Sequence, residues 1–226
     1  MKISANTLAI LKNFSKINAN FIVKPGNVLK TISGSKSIYA EAKVTETFPV
    51  EFAIFDLHRF LASISLFKGK DPDFNFGQKV VEISSGGYSI SYCYSDPILT
   101  RDFAKNLPNT VNAPTFDYEF VLSDKDFSAL SDASSVMGLP DLMLSATTEG
   151  IFLHLVDKKD KNSNVYALRI GDNTKNFTFK MYFKMENLSI LPDTYTVKVS
   201  QKKVSEFVNK DKTIKYFISM EHDSTW

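Results

Sequence analysis

The feature that most constrains this fold is a hydrophobic pattern that occurs twice. Residues Glu51 to Phe67, EFAIFDLHRFLASISLF, open with five residues of strand character and run into Asp56, a good helix N-cap. Leu57, Phe60, Leu61 and Ile64 then fall at i, i+3, i+4 and i+7, which is one apolar face of a helix. Residues Phe179 to Leu191, FKMYFKMENLSIL, repeat this: setting Glu51 on Phe179 puts Ile54 on Tyr182, Phe55 on Phe183, Leu57 on Met185 and Phe60 on Leu188. A second match pairs SANTLAILKNF, where Leu8 and Leu11 follow Ser4, with SDKDFSALSDA, where Phe127 and Leu130 follow Ser123. The two offsets differ by nine residues, which a longer hairpin loop over the polar run Asp157 to Asn164 absorbs. Two copies of one unit are therefore expected, each with two helices.

Between the helices the chain alternates like antiparallel strands. FIVK, VLKTI and SIYAEAKV are separated by Pro25-Gly26-Asn27 and Ser33-Gly34-Ser35, and DFNFG, KVVEIS and YSISYCY by Gly77 and Gly86-Gly87. FDYEFVL, DLMLSAT, GIFLHLVD, NVYALRIG, NFTFKMYF, TYTVKVS, KVSEFVN and TIKYFISM supply the second half. The segment Asp96 to Thr115 breaks this rhythm, with Pro97, Pro108 and Pro114 and no sustained period, yet it carries Ile98, Leu99, Phe103 and Leu107. Such apolar residues must rest on something. The expected organisation is an α+β chain of two similar β-rich domains with two helices each, residues 1–100 and 116–226, joined by a connector at 101–115.

The helices differ in what their outer faces carry. On the first, Ser4 to Lys16, the side away from Thr7, Leu8, Leu11 and Phe14 holds Ala5, Ala9, Lys12, Asn13 and Lys16, with no acid. On the second, His58, Arg59 and Ala62 face away from the core, and Lys68 and Lys70 follow. On Ser123 to Val136, Lys125 is accompanied by Asp124 and Asp132. Such faces serve either as solvated surface, with the lysines as solubilisers, or as a loose contact through a few lysines. Net charge is +2; residues 1 to 110 hold 13 Lys and Arg against 9 Asp and Glu, net +4, and the remainder 14 against 16, net −2. That balance excludes a strongly basic domain gripping nucleic acid by charge alone.

Little else points to chemistry. His58, His154 and His222 are far apart, with no Cys or carboxylate at ligand spacing, so no metal site is expected. No phosphate-cradling glycine loop, nucleophile elbow or zinc-helix motif occurs, and Asp71 and Asp73 flank Pro72 as turn residues. No cofactor or catalytic role is expected. Cys93 is the sole cysteine, MKISANTLAI lacks the apolar core of a signal peptide, and no run approaches a membrane span. A cytoplasmic protein is expected, and the triplets NFS, NLS and NFT are then chance matches to glycosylation acceptors.

The opening MKIS…LAILKNFSKIN, the strand and helix FAIFDLHRFLASISL, the stretch KMENLSILPDTY and the terminal EHDST resemble the DNA sliding clamps of large tailed bacteriophages. The resemblance covers the whole chain in length and element order. It implies a head-to-tail homotrimer, a six-domain ring with antiparallel sheets outside and helices lining the hole, working in the cytoplasm of the infected bacterial host. Tyr88 to Tyr94 and Val165 to Ile170 are the implied subunit-interface strands. Lys12, Lys16, Arg59, Lys68, Lys125 and Lys184 are the implied sequence-blind lining for double-stranded DNA. Implied partners are the C-terminal peptide of the DNA polymerase, which enters an apolar pocket, an ATP-dependent clamp loader and further copies of this chain, with transcription factors as an additional class open to the family. Leu99, Phe103, Leu107, Ile218 and Met220 are candidates for that pocket; the same residues would equally seal the joint between domains. The competing class is a structural β-rich virion or assembly protein with no DNA-tethering role.

Overall fold

The computed structural model describes residues 1–67, 69–160 and 162–226. The chain divides into two compact units, Met1–Val111 and Asn112–Trp226, with the division inside the segment read as a connector.

The first unit begins with α1 (Ala5–Ile17), whose N-cap Ser4 accepts a hydrogen bond from the Thr7 amide at 3.2 Å. Strands β1 (Phe21–Val23), β2 (Gly26–Ile32), β3 (Ile38–Phe48) and β4 (Phe52–Ile54) follow, with β1 antiparallel to β4 and β2 to β3. The Asp56 side chain accepts from the Arg59 amide at 3.1 Å and starts α2 (Leu57–Ser65). Strands β5 (Asp73–Phe76), β6 (Val80–Ser85) and β7 (Tyr88–Cys93) form a three-stranded antiparallel sheet in that order. A 3-10 turn (Pro97–Thr100) then leads into α3 (Arg101–Asn106). The connector segment is thus partly helical: its period is too short to read from sequence, but Asp96 caps the turn by accepting from the Ile98 amide at 2.9 Å.

In the second unit β8 (Tyr118–Leu122) precedes α4 (Asp124–Met137), which Ser123 caps by accepting from the Asp126 amide at 3.1 Å. Gly138 ends α4 at φ 66°, the left-handed position that glycine occupies without Cβ strain. Strands β9 (Asp141–Thr147), β10 (Gly150–Val156), β11 (Tyr166–Gly171) and β12 (Phe179–Lys184) form an antiparallel sheet in the order β11-β10-β9-β12. Strands β13 (Tyr195–Ser200), β14 (Val204–Asn209) and β15 (Ile214–Ser219) complete the unit, β13 lying between β8 and β14. The helix expected near Met185 to Leu191 is only a 3-10 turn, Met185–Leu188. Its N-cap position is Lys184, which offers no acceptor, whereas the matching strand in the first unit delivers Asp56. Pro192 follows closely and limits any extension.

The α1 register also departs from the simple projection. Thr7, Ile10, Leu11, Asn13, Phe14, Ser15 and Ile17 are buried, while Leu8 is only half-buried. The helix packs against α2 and against β2 and β3, so more of its circumference is covered than one stripe requires, and Asn13 turns inward. The unit cores are otherwise of the expected kind, with Phe14, Phe21, Ile54 and Leu57 fully buried in the first and Phe179, Phe183, Tyr195 and Tyr216 in the second. No helix among the described residues is long and apolar enough to cross a membrane.

Candidate nucleic-acid interface

On α1, Lys12 and Lys16 are exposed together with Ala5, Asn6 and Ala9. On the adjoining α2, His58, Arg59, Ala62 and Ser65 are exposed, and the Arg59 side chain retains 85% of its accessible surface. Among the described residues the carboxylate within ion-pair distance of Arg59 is that of Asp56, the N-cap of α2, at 3.8 Å, a solvated pair too long to fix the guanidinium. Among the described residues Lys12 and Lys16 have no carboxylate partner within ion-pair distance. The two packed helices of the first unit therefore present mobile cations separated by small side chains. Such a surface attracts phosphates, with Lys12 and Lys16 as point charges and Arg59 as a guanidinium fork that suits a phosphate.

The other sequence-derived lining residues fall into different settings. Lys125 is exposed at the start of α4, beside exposed Asp124, with Ser128 and Asp132 further along the same helix. Lys184 is committed: its ammonium lies 2.5 Å from Asp141 Oδ1, and Asp141 is 1% exposed. The hydrogen bond to Asp141 raises the Lys184 pKa, with burial opposing it. Asp141 also accepts from the Lys158 amide at 3.1 Å, so this pair holds β9 and β12 in register. Lys68 lies outside the described residues. Sequence spacing could not single out Lys158 either; its ammonium sits 2.9 Å from Asp223 and 4.7 Å over the Tyr182 ring, fastening the last residues to the second unit. That contact holds the Asp223 carboxyl below its usual range.

The candidate peptide-pocket residues do not share one surface. Leu99 is 55% exposed and Phe103 only 6%, and both line an open groove with Ile32, Phe55, Asn18 and Asn20. Leu107 lines a different cavity, with Ile22, Pro25, Val28 and Pro108, where the Lys30 ammonium donates to the Asn109 carbonyl at 2.5 Å. Ile218 and Met220 are buried, at 0% and 6%.

Both strands implied as interface elements stand at sheet edges. β7 pairs with β6 on one side only, and β11 pairs with β10 on one side only. The opposite edge of the second-unit sheet is treated differently. Lys180 and Thr225 exchange backbone hydrogen bonds at 2.9 and 2.8 Å, and Trp226 stacks on Phe179 at 4.6 Å, so the tail covers β12. An open edge is a template for another strand.

Comparison with known proteins gives a consistent result. Residues 4–75 match the family model for the DNA polymerase processivity factor, and residues 119–222 match that for the gp45 sliding clamp, C terminal. The sliding clamp of Vibrio phage KVP40 is 29% identical over 98% of this chain and 99% of its own. The sliding clamp of Enterobacteria phage T4 is 24% identical over 100% of this chain and 99% of its own. Among solved structures, an A. fulgidus PCNA bound to the C-terminal region of FEN-1 superposes with a TM-score of 0.66 at 10% identity, covering 96% of each chain.

Proposed function

This chain belongs to the family of phage DNA polymerase processivity factors, the sliding clamps, and from that premise we propose how its own residues perform the task. A sliding clamp encircles duplex DNA and tethers the replicative polymerase, so synthesis is processive without a tight grip on any sequence. A threaded ring leaves DNA only by opening or by reaching an end; individual phosphate contacts can therefore be weak, and they must be weak if the ring is to slide. Lys12, Lys16 and Arg59 meet that requirement as exposed cations on long side chains. Lys125 adds to them, diluted by Asp124 and Asp132. Lys184 contributes less, since Asp141 already neutralises it.

The ring is a homotrimer closed head to tail, β7 of each copy pairing with β11 of the next. The two open edges support this reading, because they lie on different units and so favour a heterologous contact that closes by rotation. The polymerase peptide docks at the groove of Leu99 and Phe103, where the exposed Leu99 is the side chain a peptide would cover. An ATP-driven loader opens the ring, and transcription factors share the peptide groove. The protein has no catalytic step of its own and works in the host cytoplasm. Family membership does not favour the reading as a virion component.

The observation that carries the proposal is the exposed basic surface of Lys12, Lys16 and Arg59 on the packed helices α1 and α2, whose one described acidic neighbour is the solvated Asp56. Primer extension on a singly primed circular template, with the cognate polymerase and loader, tests it. Long products are expected only with this protein present, and Lys12→Glu with Lys16→Glu is expected to shorten them. Unchanged product length in that variant would remove the α1 lysines from the lining.

A further inference from the structure

Single exposed apolar residues are ordinary on a protein surface, but the largest ones here fall in a pattern. Among the described residues the three most exposed large apolar side chains are Val136 at 86%, Leu66 at 73% and Tyr88 at 66%. Leu66 and Tyr88 line an open cavity of about 410 Å³ with Phe67, Lys70 and Ile90, where the end of α2 meets the start of β7. Among the described residues its walls are aliphatic and aromatic apart from Ser89, and its one charge is Lys70, whose ammonium lies 3.9 Å over the Tyr88 ring. Among the described residues no carboxylate lies within ion-pair distance of Lys70. The cavity thus calls for a small branched apolar side chain accompanied by a carboxylate.

One element of this chain presents that pair. Val136 stands on the outer side of α4, one helical turn beyond the exposed Asp132, which likewise has no cation within ion-pair distance among the described residues. The helix packs against β10, the strand that pairs with the open-edged β11. The socket therefore includes the start of the open-edged β7, and the knob's helix packs on the strand next to the open-edged β11. The charges complement each other, as do the sequence totals of the two halves, net +4 for residues 1 to 110 and −2 for the rest.

We infer that the cavity formed by Leu66, Phe67, Tyr88 and Ile90 receives Val136 of a second copy of this chain, with Lys70 pairing to Asp132 of that copy. This rests on the ring reading and goes beyond it: strand pairing alone is tolerant of register, whereas a knob in a socket with one charge pair fixes which residues oppose each other. The patches differ on the two sides, so each copy offers one of each, and every contact in a closed ring is the same.

Sedimentation of the full chain over a concentration series tests the inference, using wild type, Val136→Glu, Lys70→Glu, Asp132→Lys and the double variant Lys70→Glu with Asp132→Lys. All the substituted positions are exposed, so circular dichroism is expected to show unchanged folding. Val136→Glu places a carboxylate in the socket and is expected to raise the assembly midpoint about 100-fold. Each single charge reversal is expected to raise it about tenfold, and the double reversal to return within about threefold of wild type. A Val136→Glu protein that assembles like wild type, or a double variant no better than the worse single one, overturns the inference while leaving the ring intact. Wild type that stays monomeric at every concentration instead defeats the ring reading itself.

Discussion

The helix that carries Lys12 and Lys16 is pinned at its first turn by Glu46 on β3, and the strength of that pin can be measured. The Glu46 carboxylate accepts from the Ser4 amide, from the Thr7 hydroxyl at 2.6 Å and from the Thr45 hydroxyl at 3.1 Å. Burial pushes its pKa up, but the hydrogen bonds from Thr7 and Ser4 pull harder, and the net result is a carboxyl lowered from 4.5 to about 2. A shift of that size at a fully buried site would correspond to ~3 kcal/mol. Glu46 is only half-buried, so solvent screening reduces the contribution to about 1 kcal/mol. Because the folded-state pKa is the lower one, the stabilisation is complete above pH 4.5, declines as pH falls, and is nearly gone at about pH 2. Glu46→Gln keeps an acceptor oxygen but removes the charge. Urea denaturation at pH 7 is expected to show the variant about 1 kcal/mol less stable, with the gap reduced by at least about half at pH 3. A gap of equal size at both pH values would refute the reasoning, since a pH-independent loss comes from packing rather than from the ionised cap.

Four further outcomes follow from the structure. Lys12→Glu with Lys16→Glu leaves the unfolding free energy within about 0.5 kcal/mol of wild type, because both side chains are exposed, while clamp-dependent synthesis falls; the denaturation curve and the extension assay check the two halves separately. Asp141→Asn leaves the partly buried Lys184 ammonium without its counter-charge and is expected to cost about 3 kcal/mol, read by denaturation of the full chain. Leu99→Asp is expected to weaken binding of a polymerase C-terminal peptide at least tenfold with little change in stability, measured by fluorescence anisotropy. Phe103→Ala is a poor probe of the same groove, since Phe103 is 6% exposed and its truncation is expected to cost about 3 kcal/mol of folding stability.

Local signals made much of this fold legible. Ser4, Asp56 and Ser123 are acceptors immediately before apolar helical faces, and each caps a helix in the structure. The strands selected as interface candidates from the family resemblance, β7 and β11, stand at the ends of their sheets among the described residues. What escaped notice was set by contacts distant in sequence. Lys184 reads as one more basic residue until the β9–β12 register brings it opposite Asp141, 43 residues away. Asn13 projects outward on a helical wheel, yet the elements packed around α1 bury it. Ile218 and Met220 alternate with polar residues as a pocket wall would, and both are buried. A repeat in hydrophobic pattern also does not guarantee a repeat in structure: without an acceptor at Lys184, the second copy of the strand-to-helix unit stops at a 3-10 turn.

The central claim is that this protein holds DNA by topology. The most direct measurement compares its retention, after loading, on one closed circular duplex before and after a single double-strand cut. Residence of many minutes on the circle at moderate salt and rapid loss once an end is made are expected. Equal residence on circle and linear duplex, with a steep dependence on salt, would mean that the lysines grip rather than line, and would contradict it.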